Sequence, residues 1–566
     1  MFRMLLDSWR ISLACAVLAT TIHSCSAFDQ VPLRRQSKFQ TRPSSITMGD
    51  ISHGHLSHLE LEFGTPESIL RSHVLMRSLL GSPESVSRDG IREISVSGWQ
   101  YPEEDTQLVH LFEGLTNLET VHWTANRAIP PSILRSLEVN SPTCSVHYTL
   151  GFQYSADRRS RGPDTDSVLN STILYALKAE IHYGGEANWS DLSLIFDILT
   201  SCPNLRELEL NIQHYGCVVS RAVYAFDFSS NPSVKFPPLE VLKLDGYRLD
   251  EESDGGFDWY FKDYLKPDFN WTAWYEEEID LPPLPVRNVS DGRNNLDCWL
   301  QAMDWSHLHT LELSPSVLTL KKLEDAVLPR LKRVAFSGTG DEFDNAIQEF
   351  LKQTVQPLES ISLWGLQPSD TLVEAIVGRH ADKLANLTLG SQSGILPVSK
   401  GQLEILIKQC TKLRIANVNL PRPKTRDVRW DLDTLLSLTS LPDLEHLILR
   451  FPSPDHKMYK RKYAFTDTLN PENVWINYKK FGSEGDIPDP HVNTSTLEEL
   501  FTELRLSSKQ KGREKIALRK LEVYVGEWET RHDLPTTNWV RVGHWECNAN
   551  ENGVEKCVGG QTRNDV

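Results

Sequence analysis

Three groupings in this chain combine residue types that carry chemistry in other proteins. His544, Cys547 and Cys557 supply imidazole and thiol groups of the zinc-ligating kind, but no fourth ligand is evident beside them. The stretch "GSQSG", residues 390–394, has the glycine spacing of a nucleophile elbow. Gln392 stands where the attacking serine would be, and the stretch follows a strand-like segment where a turn is expected. Glu276, Glu277 and Glu278 are adjacent carboxylates, yet they sit in an acidic run that reads more simply as a solvated face. There is no H-E-x-x-H, no phosphate-binding P-loop, no protein-kinase set and no G-x-G-x-x-G after a strand. The sequence therefore predicts a non-enzymatic protein, with no catalytic, metal-binding or cofactor-binding residues.

The elements that would position any functional group are more legible. In "CPNLRELELN", residues 202–211, the apolar residues fall at Leu205, Leu208 and Leu210, and this apolar-x-x-apolar-x-apolar spacing recurs along the chain. It starts at Leu56, Ile91, Leu118, Leu174, Leu205, Leu239, Leu308, Leu331, Leu358, Leu384, Leu413, Leu444 and Leu518. The starts at 308, 331, 358, 384, 413 and 444 are 23, 27, 26, 29 and 31 residues apart, in or just above the leucine-rich-repeat range of about 20–29. Helix-period segments such as "SDLSLIFDILTSCPN" and "SKGQLEILIKQCTK" precede the strands, several opening on Ser or Asp suited to an N-cap. The predicted fold is α/β, a leucine-rich-repeat solenoid or horseshoe with a parallel inner sheet and outer helices. No unit can bury its apolar stripe alone, so stacking must supply the core. Cys202 and Cys410 share the place before the strand leucine, where burial explains them better than metal binding.

The predicted domains are a signal peptide at 1–27, a polar linker at 28–50, the solenoid at 51–527 and a partly disordered tail at 528–566. Gaps of 69 residues (239 to 308) and 74 residues (444 to 518) imply two insertions, about 250–300 and 452–515. The first holds Trp259, Tyr260, Trp271, Trp274 and Tyr275, read chiefly as a satellite core. Residues 1–27 show the charged, apolar and small-residue order of a secretory signal. Secretion and a misassigned start codon on a cytoplasmic or nuclear protein both remain open. Cys547 and Cys557 bracket an Asn-Gly turn, which fits either a disulfide or two ordinary thiols. N-glycosylation sequons occur at Asn170, Asn188, Asn270, Asn288 and Asn493, and a further one at Asn386 would stand on the inner sheet surface. The net charge of −17 and the lack of a long basic run argue against nucleic acid, and no segment is long and apolar enough to span a membrane.

With strand period two, the residues between the leucines face away from the core. Glu60, Glu62, Glu93, Glu207, Glu209, Asn211, Lys243 and Asp245 then line one half of a sheet face, and Trp364, His446, Arg450, Lys520 and Tyr524 the other. This face trends from acidic to mixed or basic and suits a protein or extended peptide; the bland alternative is a merely solvated face. The phrases "LTNLETVHWTANRAIPPSILRSLEVNSPTC" (115–144) and "NLDCWLQAMDWSHLHTLEL" (295–313), with the repeat rhythm over 51–527, give the chain a resemblance to fungal leucine-rich-repeat proteins of the F-box-associated kind. That resemblance implies repeats that select a substrate and an F-box that recruits a cullin-type ubiquitin ligase. The "LP-x-E" opening of an F-box is not seen. The leading expectation is thus a scaffold that binds a protein partner. The alternative is a ligase substrate-recognition subunit whose F-box is missing or misannotated.

Overall fold

The computed structural model describes residues 57–81, 90–99, 105–124, 128–151, 165–183, 190–214, 225–228, 231–250, 293–338, 340–366, 368–390, 397–420, 431–451, 494–510, 517–525, 542–550 and 553–562. All fall in one compact unit, His55–Arg563. The signal and linker segments, the Trp259–Tyr275 aromatics, Glu276–Glu278, and Asn188, Asn270, Asn288 and Asn493 lie outside the described residues, as do residues 391–394 of "GSQSG".

The strands are β1 (His58–Glu62), β2 (Glu93–Ser97), β3 (Thr120–Thr124), β4 (Ser145–Gly151), β5 (Leu174–Tyr183), β6 (Glu207–His214), β7 (Val241–Asp245) and β8 (Thr310–Leu313). They continue as β9 (Arg333–Ser337), β10 (Ser360–Trp364), β11 (Asn386–Gly390), β12 (Ile415–Asn419), β13 (His446–Phe451), β14 (Lys520–Val525), β15 (Val542–Asn550) and β16 (Gly553–Thr562). All sixteen form one mixed, mostly parallel sheet whose spatial order is the chain order, so it stays open rather than closing into a barrel. Parallel neighbours require a crossover between them. Eleven α-helices supply crossovers among the described residues: α1 (Pro66–Gly81), α2 (Asp105–Glu113), α3 (Pro131–Asn140), α4 (Ser190–Ser201), α5 (Asn295–Ala302), α6 (Val317–Glu324), α7 (Asp341–Gln353), α8 (Asp370–His380), α9 (Lys400–Gln409), α10 (Leu432–Leu438) and α11 (Thr494–Gln510). Helices α1 to α3 pack in succession, and so do α6 to α11.

The leucine spacing explains the layers. In β1, β2, β7, β9 and β10 the second and fourth residues are buried and the others half-buried or exposed. Leu205, Leu208 and Leu210 are at most 1% exposed. Ser369 and Ser399 cap α8 and α9 by accepting from the main-chain N–H of Leu372 and Gln402, each cap contributing about 1 kcal/mol. Cys202 and Cys410 are buried at the ends of α4 and α9, and burial pushes both thiols up, Cys410 to about 11.

Three features differ from the expectation. Helices α5 and α11 fall in the spans read as insertions, α5 opening on a capping box at Asn294 and α11 packing on α10 in the helical layer. Strand β4 departs from the leucine spacing: Val146, Tyr148 and Leu150 fill its buried positions and Cys144 lies just before it. The C-terminal stretch contributes β15, which pairs antiparallel with β14, and β16, which pairs antiparallel with β15. The short link from Asn550 to Gly553 leaves no length for a crossover helix, so only the antiparallel sense is open to that pair.

His380, fully buried at the end of α8, ties the helical layer to the sheet. Its Nδ1 accepts from the Leu358 N–H at 3.0 Å, which places the proton on Nε2 facing the Leu351 carbonyl at 3.1 Å. Burial lowers its pKa from 6.5 to about 4. The unfolded chain therefore takes up this proton first as pH falls, and the contribution of His380 is lost from pH 6.5 downward. By pH 5 the loss is about 2 kcal/mol. A His380→Gln variant should be less stable at pH 7 and show a flatter stability profile between pH 7 and 5 in urea unfolding.

Candidate functional site

The side chains that alternate with the buried leucines form one continuous sheet face. All thirteen residues predicted to meet a partner stand there, half-buried or exposed, each next to a buried residue. Register sorts them into rows. Lys178, Glu209, Lys243 and Glu312 are direct partners across β5 to β8. They alternate in sign, with N···O separations of 2.6, 3.5 and 3.4 Å. Burial alone would raise the Glu209 pKa, but Lys178 and then Lys243 bring it below the ordinary value. Glu207 is shifted up by burial, against the pull of His309. Glu209 and Lys243 are thus already matched within the sheet, while Glu60, Glu62 and Asp245 are exposed.

Nearer β1, the Glu93 carboxylate lies 3.4 Å from His58 Nδ1 and 3.2 Å from His122 Nε2. The His122 ring meets His147 at 4.8 Å, and His147 meets Tyr175 at 5.5 Å between ring centres. Burial, helped by His122, lowers the His147 pKa to about 4, so it is a neutral, weakly basic imidazole at pH 7. No group of three or more potential ligands among the described residues is arranged to hold a metal ion.

The densest cluster lies on β13 to β15. Glu522, buried on β14, is within 3.0 Å of His446 Nε2, 2.7 Å of Lys520 Nζ and 3.5 Å of His544 Nε2, and it accepts from Tyr524 Oη at 2.9 Å. The histidine nitrogens lie close to the carboxylate without the geometry of directed hydrogen bonds. Burial would raise the Glu522 carboxyl, but His446, His544 and Lys520 outweigh it and hold the group far below the carboxylate range. Burial, then the Glu522 charge, pushes the Tyr524 phenol up; Glu522 and Glu546 raise Lys520 despite its burial. Each group is driven further into its neutral-pH resting form, so these three supply neither a poised base nor an activated nucleophile.

No protein-family model matches the chain, and no curated protein matches it. The site is therefore argued from its own geometry.

Above Glu522, Arg450 is sandwiched between aromatic rings, its Cζ 4.9 Å from the Trp364 centre and 4.3 Å from that of Tyr524. Tyr524 in turn stacks on His544 at 4.3 Å and 11°. Four side chains from β10, β13, β14 and β15 thus make one cation–aromatic row. Sequence reasoning singled out Trp364, Arg450, Lys520, Tyr524 and His446, and the structure brings them together. It passed over Glu522, which binds them, although Glu522 occupies the same outward place between Leu521 and Val523. His544 was weighed there only as a metal ligand. It stands instead on Tyr524, while Cys547 and Cys557 face each other across β15 and β16 and are bonded as a disulfide. Of the sequon residues, Asn170 is exposed at a turn with φ 63°, and Asn386 faces outward on β11.

Proposed function

We propose that the chain is a leucine-rich-repeat solenoid acting as a non-enzymatic scaffold that binds a protein partner on its outward sheet face. The observation that carries this reading is the assembly, on one face, of an ion-matched acidic half and a cation–aromatic half. Trp, Tyr and Arg are the residue types that most often carry interface energy, and the Trp364–Arg450–Tyr524 row presents all three. Strands in chain order with helices packed neighbour to neighbour support the solenoid. A fungal F-box-associated kinship belongs to the proposal only as far as the repeat rhythm supports it. The Cys547–Cys557 disulfide favours an oxidising compartment and hence secretion; N-terminal sequencing of protein from culture medium checks this, and an intact Met1 would count against it.

Partner binding is tested by replacing Glu207, Glu209, Trp364 and Arg450 together with alanine. The folded variant should lose about a hundredfold in affinity, two central hot-spot residues being removed. Binding at the wild-type level in calorimetry, with an unchanged circular dichroism spectrum, would overturn the reading.

A further inference from the structure

The outward row at the end of β10 to β13 runs Trp364, Gly390, Asn419, Arg450. Trp364 is in register with Gly390 and Asn419 with Arg450, and Gly390 and Asn419 each follow the paired residues Leu389 and Val418. Adjacent strands lie about 4.8 Å apart, so the β10 and β13 backbones are roughly 14 Å apart. Arg450 Cζ nevertheless sits 4.9 Å from the Trp364 ring centre. The two side chains must lean toward one another over the intervening strands, across Gly390 and Asn419. Gly390 makes this feasible, because a Cβ there would collide with Cε3 and Cζ3 of the Trp364 ring.

Asn419 is 1% exposed, and neither its Oδ1 nor its Nδ2 has a hydrogen-bond partner among the described residues. Its neighbour Asn417 is also buried, but its Oδ1 accepts from Arg450 Nε at 2.9 Å. Buried polar groups are ordinarily satisfied, and one that is not needs an explanation. A carboxamide presents a donor and an acceptor side by side. Its complement on a peptide is one residue of an extended chain, whose own N–H and C=O point to the same side, the N–H meeting Oδ1 and the C=O meeting Nδ2. Ser337, Ser362 and Thr388 nearby on the same face are short and uncharged, leaving the floor low enough for an extended chain. Adenine also offers a paired donor and acceptor, but a chain of net charge −17 makes a poor host for its phosphates.

We propose that Asn419 reads the main-chain N–H and C=O of one residue in an extended peptide segment of the partner, seated across β10 to β13 when Trp364 and Arg450 part. This rests on the protein-binding reading and narrows it to a linear, backbone-recognised segment. Because the carboxamide is unpartnered, Asn419→Ala should leave thermal stability unchanged or raise it.

The test selects binders from a random linear dodecapeptide library on the full chain and synthesises the best one. Asn419→Ala should weaken its binding about tenfold, as expected for loss of two neutral hydrogen bonds. N-methylation of the amide of the peptide residue that Asn419 reads should weaken binding in wild type and cost nothing further in the variant. A selected peptide indifferent to Asn419→Ala, failure to select any linear peptide, or binding of adenosine in its place would each overturn the proposal. If the four-residue surface variant still abolishes binding of a folded partner, the broader reading survives and only this inference falls.

Discussion

Replacing Glu522 with glutamine should destabilise the protein by about 3 kcal/mol at pH 7, the low end of the cost of breaking a buried ion pair. The low end applies because Lys520 keeps a second carboxylate, Glu546, at 3.4 Å. Glu522 itself is nearly enclosed, with its side chain 12% exposed, so solvent screening takes little from the effect. The pH dependence identifies the mechanism. The Glu522 pKa is depressed in the folded state, below that of a free carboxylate near 4.3. Below that pH the unfolded chain gains a proton that the folded chain refuses, so stability falls with acid and the contribution is whole only above about pH 5. Urea unfolding of wild type and Glu522→Gln should therefore differ most near neutrality. The gap should close by about 1.4 kcal/mol per pH unit below about 4.3. A gap undiminished at pH 3 would mean that packing rather than charge holds the cluster. This window lies below the range from pH 6.5 to about 4 in which His380 acts, so the two groups can be separated in one titration.

The same cluster shows what the chain discloses in one dimension. Leu521 and Val523 mark their strand by alternation alone, and alternation then assigns Lys520, Glu522 and Tyr524 to one face. What alternation does not give is which strand lies beside which, and by what shift. Glu522 meets His446 across a parallel pair but His544 across an antiparallel one. The second partner sits on a strand without any leucine signature. Strand β4 escaped for a related reason: Val146 and Tyr148 pack as the leucines do elsewhere, so the core accepts them while the pattern hides them. Charge grading along the face was legible because it depends only on residue type and parity. The matching of Glu209 between Lys178 and Lys243 was not, since it requires register over three strands. Its consequence is functional: residues that look like free charges in sequence neutralise each other within the sheet, and the exposed Glu60, Glu62 and Asp245 carry more of the acidic half's field.

Tyr247→Phe should cost about 3 kcal/mol, although it removes a single atom. The hydroxyl lies at the centre of a closed polar knot beside β7. It donates to Asn295 Oδ1 at 2.5 Å and accepts from the Phe226 main-chain N–H at 2.9 Å and Trp299 Nε1 at 3.0 Å. Asn295 completes the knot by donating from Nδ2 to the Phe226 carbonyl at 2.9 Å. Tyr247 and Asn295 are buried, and Phe226 is 1% exposed with its ring 5.7 Å from Trp299. Removing the hydroxyl therefore strands two buried donors where water cannot easily replace it, each costing about 1–3 kcal/mol. The ring contacts of Tyr247 with Phe226 and Trp299 are kept by phenylalanine, so the loss reports the hydrogen bonds. The knot also fastens residues 225–228 to β7 and to α5, which lies within the first of the two long gaps in the strand rhythm. Limited proteolysis should accordingly cut the variant near Phe226 sooner than wild type, at a rate that rises in step with the stability lost. Unchanged unfolding and unchanged cleavage would show that the chain holds this segment by apolar contact alone.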